Sequence, residues 1–429
     1  MYILLLCGSI YAFSQPYTGE KLSRGLVGIP TDKGMYFSWR MTLDDAPDLQ
    51  FDIYRSTNGG AAIKLNKEPI SQTADFLDEG TDFKVTNRWI LKADNKELAT
   101  WTHSTEEELH PYLSIPIRKP EDGEIAGEHF SYTANDCSIG DLDGDGEYEI
   151  ILKWSPSNSK RPPQRGFTGN TYLDAYKMDG TLLWRIDLGP NIRSGAATTN
   201  FLVFDFNGDG RAEICCKTGD GTVDGTGHTI GDNQADWRTW DKESPTYGKI
   251  VNGPEYLTVF EGKTGKELDT KEYIPTRYPI DGWGGIGGNC GNDNTGGRSD
   301  RFTAGVAFLD GKTPSPVMVR GWYGRTVVCA WTFTNSTLKS IWTFDSAVPG
   351  LEGYSGMGNH SVTIADFDGD SYDEICVGAM TVDHDGKGLF TTGLRHGDAL
   401  HTGRLIPSRP GMQVFGVHEN EGDNEIVKR

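Results

Sequence analysis

Positive charge is scarce in this chain of 429 residues: 41 Lys and Arg stand against 61 Asp and Glu, for a net charge of −20. That balance argues against nucleic acid as a partner, because its phosphates would be repelled. Long apolar runs are missing too. Beyond the first fifteen residues nothing approaches the ~20 consecutive apolar residues that a helical membrane span needs, so no membrane span is expected. Cysteine is sparse, with seven in the chain, at spacings that make no small disulfide scaffold. Cys215 and Cys376 recur at one place, just after Glu-Ile, and together with Cys137, Cys216, Cys290 and Cys329 they read as small buried strand residues.

What the chain does have is an acidic loop written three times: Asp141-Leu-Asp143-Gly-Asp145-Gly-Glu147-Tyr-Glu149, Asp205-Phe-Asn207-Gly-Asp209-Gly-Arg211-Ala-Glu213 and Asp366-Phe-Asp368-Gly-Asp370-Ser-Tyr372-Asp-Glu374. Oxygen ligands at positions 1, 3 and 5, a backbone carbonyl at 7 (Glu147, Arg211, Tyr372) and a carboxylate at 9 suit Ca²⁺, which takes six to eight oxygens. A helical EF-hand would need a bidentate Glu at position 12, where Leu152, Cys216 and Val377 stand instead. Each loop is therefore expected to enter a β-strand, as in Ile150-Ile-Leu-Lys-Trp154. Part of the acidity is then ligand for cations.

Glycine is abundant at 55 residues and aromatics reach 11%, which fits many short strands and tight turns, hence an all-β chain. Residues 1–14 are apolar and end in Ala12-x-Ser14, the small-x-small pattern of an export signal without its usual basic start, so an exported protein is expected: secreted, periplasmic or cell-surface. Residues 15–103 alternate like a small β-sandwich of the fibronectin type III sort. Residues 110–429 repeat a unit of acidic loop, strand and hairpin: Leu173-Asp-Ala-Tyr176 to Trp184, Leu257-Thr-Val-Phe260 to Leu268, and Val328-Cys-Ala-Trp331 to Trp342. Degenerate copies stand at Gly305–Asp310 and His396–Leu400. Four-stranded units repeated radially make a β-propeller, with long insertions gathered on one face to build the site. About five unit starts are visible before Arg429, and 426–429 supply no clear closing strand, so the propeller is expected to be cut short at its C-terminus.

The order and wording of these segments resemble the rhamnogalacturonan lyases of polysaccharide lyase family 11. The matching stretches are Ala134-Asn-Asp136, Glu149-Ile-Ile-Leu-Lys-Trp154, Leu173-Asp-Ala-Tyr176, Asp220-Gly-Thr222, Gly253-Pro-Glu-Tyr-Leu-Thr-Val-Phe260, Gly358-Asn-His360, Val382-Asp-His-Asp-Gly-Lys-Gly388 and His396-Gly-Asp-Ala-Leu-His401. The resemblance implies an eight-bladed, calcium-bearing propeller behind an N-terminal β domain, acting as a monomer on the acidic rhamnose–galacturonate polymer of plant cell walls by β-elimination. It implies substrate contacts at Asn135 and at Ser155, which replaces the Asp of the usual Lys-Trp-Asp-Pro. It places His360 and His396 at a metal site near the cleft, where imidazole favours a softer ion than Ca²⁺. It assigns no catalytic residue here: the family's Asn-Gly-Thr-Lys segment and its Arg match nothing up to Arg429, and the base and Arg are expected beyond that residue. Lys153 and Arg301 are the cations to test. The rival reading is an inactive, calcium-stabilised binding or adhesion propeller. A hydrolase, which needs two free carboxylates flanking the bond, ranks last.

Overall fold

The computed structural model describes residues 19–42, 44–106, 108–284 and 293–419; the 1–14 leader, Cys290 and 426–429 lie outside them. The expectation attached to Arg429, a propeller cut short there, falls outside the described residues with it. The N-terminal part is two antiparallel sheets. One pairs Val27–Thr31, Gly34–Ser38 and Asp75–Asp78; the other orders Ile63–Lys64, Asp52–Thr57, Asn87–Ala93 and Lys96–His103. Their inward alternation closes a shared core of Met35, Phe37, Phe51, Ile53, Trp89 and Leu91, each such large side chain contributing about 1.5–3 kcal/mol on burial. The Trp89 indole donates to Asp78 at 2.9 Å, and Arg55 pairs with the same carboxylate at 2.6 Å.

The remaining strands form successive antiparallel sheets. The first runs Tyr132–Gly140, Glu149–Pro156, Tyr172–Tyr176 and Leu182–Asp187, and is extended by the short pair Thr222–Val223 and Thr229–Ile230. The second is Phe201–Phe204, Glu213–Thr218, Tyr256–Phe260 and Glu267–Glu272, and the third Phe302–Ala307, Ser315–Arg320, Val327–Thr334 and Thr337–Asp345. The fourth is Thr363–Ala365, Glu374–Val377, Met380–Val382 and Gly388–Thr391. A fifth holds Gly397–Gly403 and Gln413–His418. Second strands are the most buried: Ser315–Arg320 and Glu374–Val377 are buried at every residue, because each lies inside its own sheet and between neighbouring ones. First strands of consecutive sheets lie side by side, the arrangement of a propeller's inner strands. Eight blades are not seen among the described residues, however. Beyond the sandwich the described residues contain four sheets of four strands or more and the two-stranded fifth, besides a separate hairpin of Gly123–Ile125 and Glu128–Phe130, and no sheet among them closes a ring.

Four cysteines behave as expected, Cys215, Cys216, Cys329 and Cys376 being buried and unbridged. Cys137 is exposed, contrary to the expectation. It follows a bulge in which Asn135 and Asp136 drop out of the register with the second strand, and such a bulge re-aims the side chains around it.

The sandwich meets the first sheet through residues 19–24. Ser23 N donates to Gly146 O at 2.7 Å and its hydroxyl to Glu147, Glu20 accepts from Asp141 N, and the Arg40 guanidinium lies 4.6 Å from the Tyr148 ring.

Candidate metal centre and cleft

Meander topology sorts the loops into two ends. Links from first to second strand, and from third to fourth, are short and share one end. Links from second to third strand, and from one sheet to the next, share the other and include the long segments 157–171, 188–200, 231–255 and 346–362. All three acidic loops are first-to-second links, so they lie opposite the long loops.

The three acidic loops share one hydrogen-bond scheme. The position-1 carboxylate accepts from the N–H groups of positions 4 and 6: Asp141 from Gly144 and Gly146 at 2.7 and 2.8 Å, Asp205 from Gly208 and Gly210 at 2.7 and 2.8 Å, Asp366 from Gly369 and Ser371 at 2.6 and 3.1 Å. The position-9 carboxylates of Glu149, Glu213 and Glu374 accept from the position-2 N–H at 2.8, 2.8 and 2.6 Å. Position 5 accepts from position 7, at 2.9, 3.0 and 2.9 Å for Asp145, Asp209 and Asp370. At position 6 the backbone has φ of +87° at Gly146, +89° at Gly210 and +76° at Ser371; the first two suit glycine and the third is strained.

Carboxylate oxygens converge within 4.8 Å in each loop: Asp141, Asp143 and Glu149; Asp205, Asp209 and Glu213; Asp366, Asp368 and Glu374. The position-9 carboxylates are buried, and burial pushes Glu149 up to about 7, Glu213 to about 8 and Glu374 to about 7. Asp143 Oδ1 and Glu374 Oε1 are buried without a hydrogen-bond partner. In the first loop the Lys177 ammonium sits 2.7 Å from Asp143 and 3.1 Å from Asp145, a positive charge where a cation is called for. These orphaned oxygens fit a hard divalent ion. Asn207 is turned inward on Glu213, while Arg211 reaches back to Asp209 at 3.0 Å. The Tyr372 and His384 rings lie 4.6 Å apart and tilted, and His384 with Asp370 and Glu374 forms a further group that could hold an ion.

The opposite end carries a different donor set. His360 and His396 precede the first strands of the fourth and fifth sheets, and an Asn359–Gly397 bridge aligns their segments. With Asp398 they form a compact group that could hold a metal. His396 is fully buried, and its Nδ1–H donates to Gly358 O at 2.8 Å. That bond fixes the tautomer and turns Nε2, buried and without a hydrogen-bond partner, toward the group. Burial pushes the His396 imidazole down to about 4 and lowers His360 as well, so both rings are neutral and ligand-ready at pH 7. Tyr323 links them: its hydroxyl lies 3.2 Å from His360 Nε2, and its ring lies 4.2 Å from that of His396.

Sequence reasoning singled out both histidines but missed Asp398 and Tyr323. Asp398 lies two residues beyond His396, where a bulge between Gly397 and Ala399 takes it out of the ladder; that spacing was the available signal. Tyr323 carried none, since it lies in the 321–326 link and reaches the centre only through the fold. Asn135 sits exposed in the first-strand bulge, and Ser155 half-buried near the end of the second strand, opposite Thr133. Between them the buried Lys153 ammonium lies 2.5 Å from Asp136. Arg301 is buried, its Cζ 4.6 Å from the Tyr323 ring centre. The base and Arg expected beyond Arg429 have no place among the described residues, which end at Glu419.

Residues 112–428 match the C-terminal domain of rhamnogalacturonan lyase family 11, and residues 17–101 match the beta-sheet domain of rhamnogalacturonan I lyases. The chain is 50% identical over 408 residues to rhamnogalacturonan exolyase YesX of Bacillus subtilis (strain 168), and 47% identical over 410 residues to rhamnogalacturonan endolyase YesW of the same organism. Each alignment takes in 94% of this chain and 62% of the relative, so the chain spans less than two thirds of their length. The crystal structure of exotype rhamnogalacturonan lyase YesX superposes with a TM-score of 0.84 at 48% identity, covering 95% of this chain and 64% of that one. Bacillus licheniformis Rhamnogalacturonan Lyase PL11 superposes with a TM-score of 0.85 at 50% identity, covering 95% and 66%. The chain belongs to rhamnogalacturonan lyase family 11.

Proposed function

We propose that this chain is a rhamnogalacturonan lyase, cleaving the rhamnose–galacturonate backbone of rhamnogalacturonan I by β-elimination. The observation that carries the reading is the His360–His396–Asp398 group, with its orphaned His396 Nε2, at the end that gathers the long loops. In the reaction a base takes the proton from C5 of galacturonate, the C4–O bond to the leaving sugar breaks, and the expelled oxygen takes up a proton, leaving a C4–C5 double bond. The adjacent carboxylate makes C5–H a poor acid, because negative charge develops beside an existing one. A divalent cation held by His360, His396 and Asp398 would neutralise that carboxylate.

The side chains prepare the site. Tyr323 and the Gly358 carbonyl fix the two rings, and burial keeps both imidazoles neutral. The Lys153–Asp136 pair holds the bulge that presents Asn135. The acidic loops, at the opposite end, serve stability with Ca²⁺ as the ion their oxygens suit. No helix of the described residues is long and apolar enough to cross a membrane. The polymeric substrate supports an exported protein, which we take to act as a monomer. The adhesion reading finds no support in relatives that match both parts of the chain.

The test is incubation of the purified protein with rhamnogalacturonan I, with and without Ca²⁺, following the near-ultraviolet absorbance of the unsaturated uronate. A calcium-dependent rise is expected. A folded, metal-loaded protein giving no rise overturns the reading.

A further inference from the structure

Among the described residues, Arg298 is a cation without an anion. It lies just before the third sheet, half-buried, with its Cζ 4.8 Å from the centre of the Tyr323 ring. Its Nε is buried without a hydrogen-bond partner, and among the described residues no ion pair or hydrogen bond engages its guanidinium. Nearby arginines differ. Arg193 is spent on the carbonyls of Arg161 and Gln164, Arg320 on Glu255 at 2.7 Å, and Arg325 on Asp345 at 2.6 Å. In a chain with 61 acidic residues, an arginine left unpaired while partly removed from water forfeits hydration without a Coulombic return. A planar fork of donors stacked on an aromatic ring is the arrangement that receives a carboxylate bidentately.

Its position says which carboxylate. The ring that carries Arg298 also touches His396 and reaches His360 through its hydroxyl, so the guanidinium and the metal-ligand group share one wall. The polymer of the proposed function has one anionic group per repeat, on galacturonate, and none on rhamnose. We propose that Arg298 is the specificity determinant that receives this uronate carboxylate beside the His360–His396–Asp398 group. It thereby sets the register of the alternating chain, seating galacturonate and not rhamnose at the reacting position. The inference rests on the lyase reading and adds to it the group that recognises the acid.

The experiment is affinity electrophoresis of the wild type, Arg298→Gln and Arg298→Lys in gels containing rhamnogalacturonan I or the same polymer with its carboxyl groups reduced to alcohols. Binding, not turnover, is read. A charge-assisted bond is worth about 1.5–3 kcal/mol, so Arg298→Gln should weaken retention by the acidic polymer about tenfold to a hundredfold. Retention by the reduced polymer should be unchanged, and Arg298→Lys should fall between. Melting curves superimposable on the wild type establish that the variants are folded. Equal retention of wild type and Arg298→Gln by the acidic polymer, or equal losses on both polymers, overturns the role of Arg298 and leaves the lyase reading standing. A wild type that neither gel retains overturns both.

Discussion

The Tyr323 hydroxyl lies 3.2 Å from His360 Nε2, and in the tautomer with the ring proton on Nδ1, the one that can bind a metal through Nε2, the hydroxyl donates to the lone pair that a metal ion would take. Ion and hydroxyl therefore compete for one nitrogen. Removing the hydroxyl relieves the ion of displacing a hydrogen bond worth about 1 kcal/mol. Tyr323→Phe, which keeps the ring beneath Arg298, should bind Mn²⁺ about fivefold more tightly at this site; unchanged or weaker binding by calorimetry contradicts the competition.

Chelation tests the acidic loops. Ions bound only by the folded state stabilise it by mass action, so excess EDTA should lower the melting temperature markedly. Asp205→Ala removes the carboxylate that organises three loop amides, and metal counting should find one ion fewer while the loops at Asp141 and Asp366 stay loaded. An unchanged melting curve in EDTA would sink the assignment.

Ser371 holds a φ of +76° where the sister loops have glycine. A side chain in the left-handed region costs about 1–2 kcal/mol, and part of that returns on substitution once the larger unfolded-state entropy of glycine is subtracted. Ser371→Gly should thus stabilise the metal-loaded protein by about 0.5–1 kcal/mol in denaturant melts. A loss of stability would show that the serine side chain supports the loop in a way that outweighs its strain.

Glu255 ties the second and third sheets together, 2.8 Å from Lys217, 2.9 Å from Arg277 and 2.7 Å from Arg320. Burial alone would raise its carboxyl, but Arg320, Lys217 and Arg277 more than offset this and hold it well below the usual range. A depressed carboxyl contributes stability that is fully present above its unfolded value of about 4.3 and is lost as pH falls toward the folded value. Glu255→Gln should therefore be strongly destabilised at pH 7, by about 3–5 kcal/mol for a broken buried pair. Its deficit against the wild type should narrow below pH 4, read from urea midpoints across pH.

The acidic loops, the strands they enter and the hairpins that follow were legible in the sequence because their signals are local. Position-1 carboxylates bind amides three and five residues on, and Glu149, Glu213 and Glu374 begin their strands. The two histidines were legible only through resemblance, since nothing in Gly358-Asn-His360 announces a ligand. Asp398, Tyr323 and Arg298 were not, because they come together across sheet boundaries over more than seventy residues of sequence. Cys137 misled for a related reason: alternation predicts its face only where the register is unbroken, and the bulge at Asn135–Asp136 breaks it.

The anchoring of residues 19–24 on the first acidic loop gives that loop a second duty. Its carboxylate oxygens converge on one another, while the Asp141 amide and the Gly146 carbonyl hold the strap that leads into the sandwich. A loop that frays without its ion releases the strap as well, so the sandwich is uncoupled before it is itself unfolded. Demetallation at this one place should make a single cooperative melt into two and expose the connection that follows His103 to proteases ahead of the rest, so that resistance to proteolysis becomes a function of metal loading.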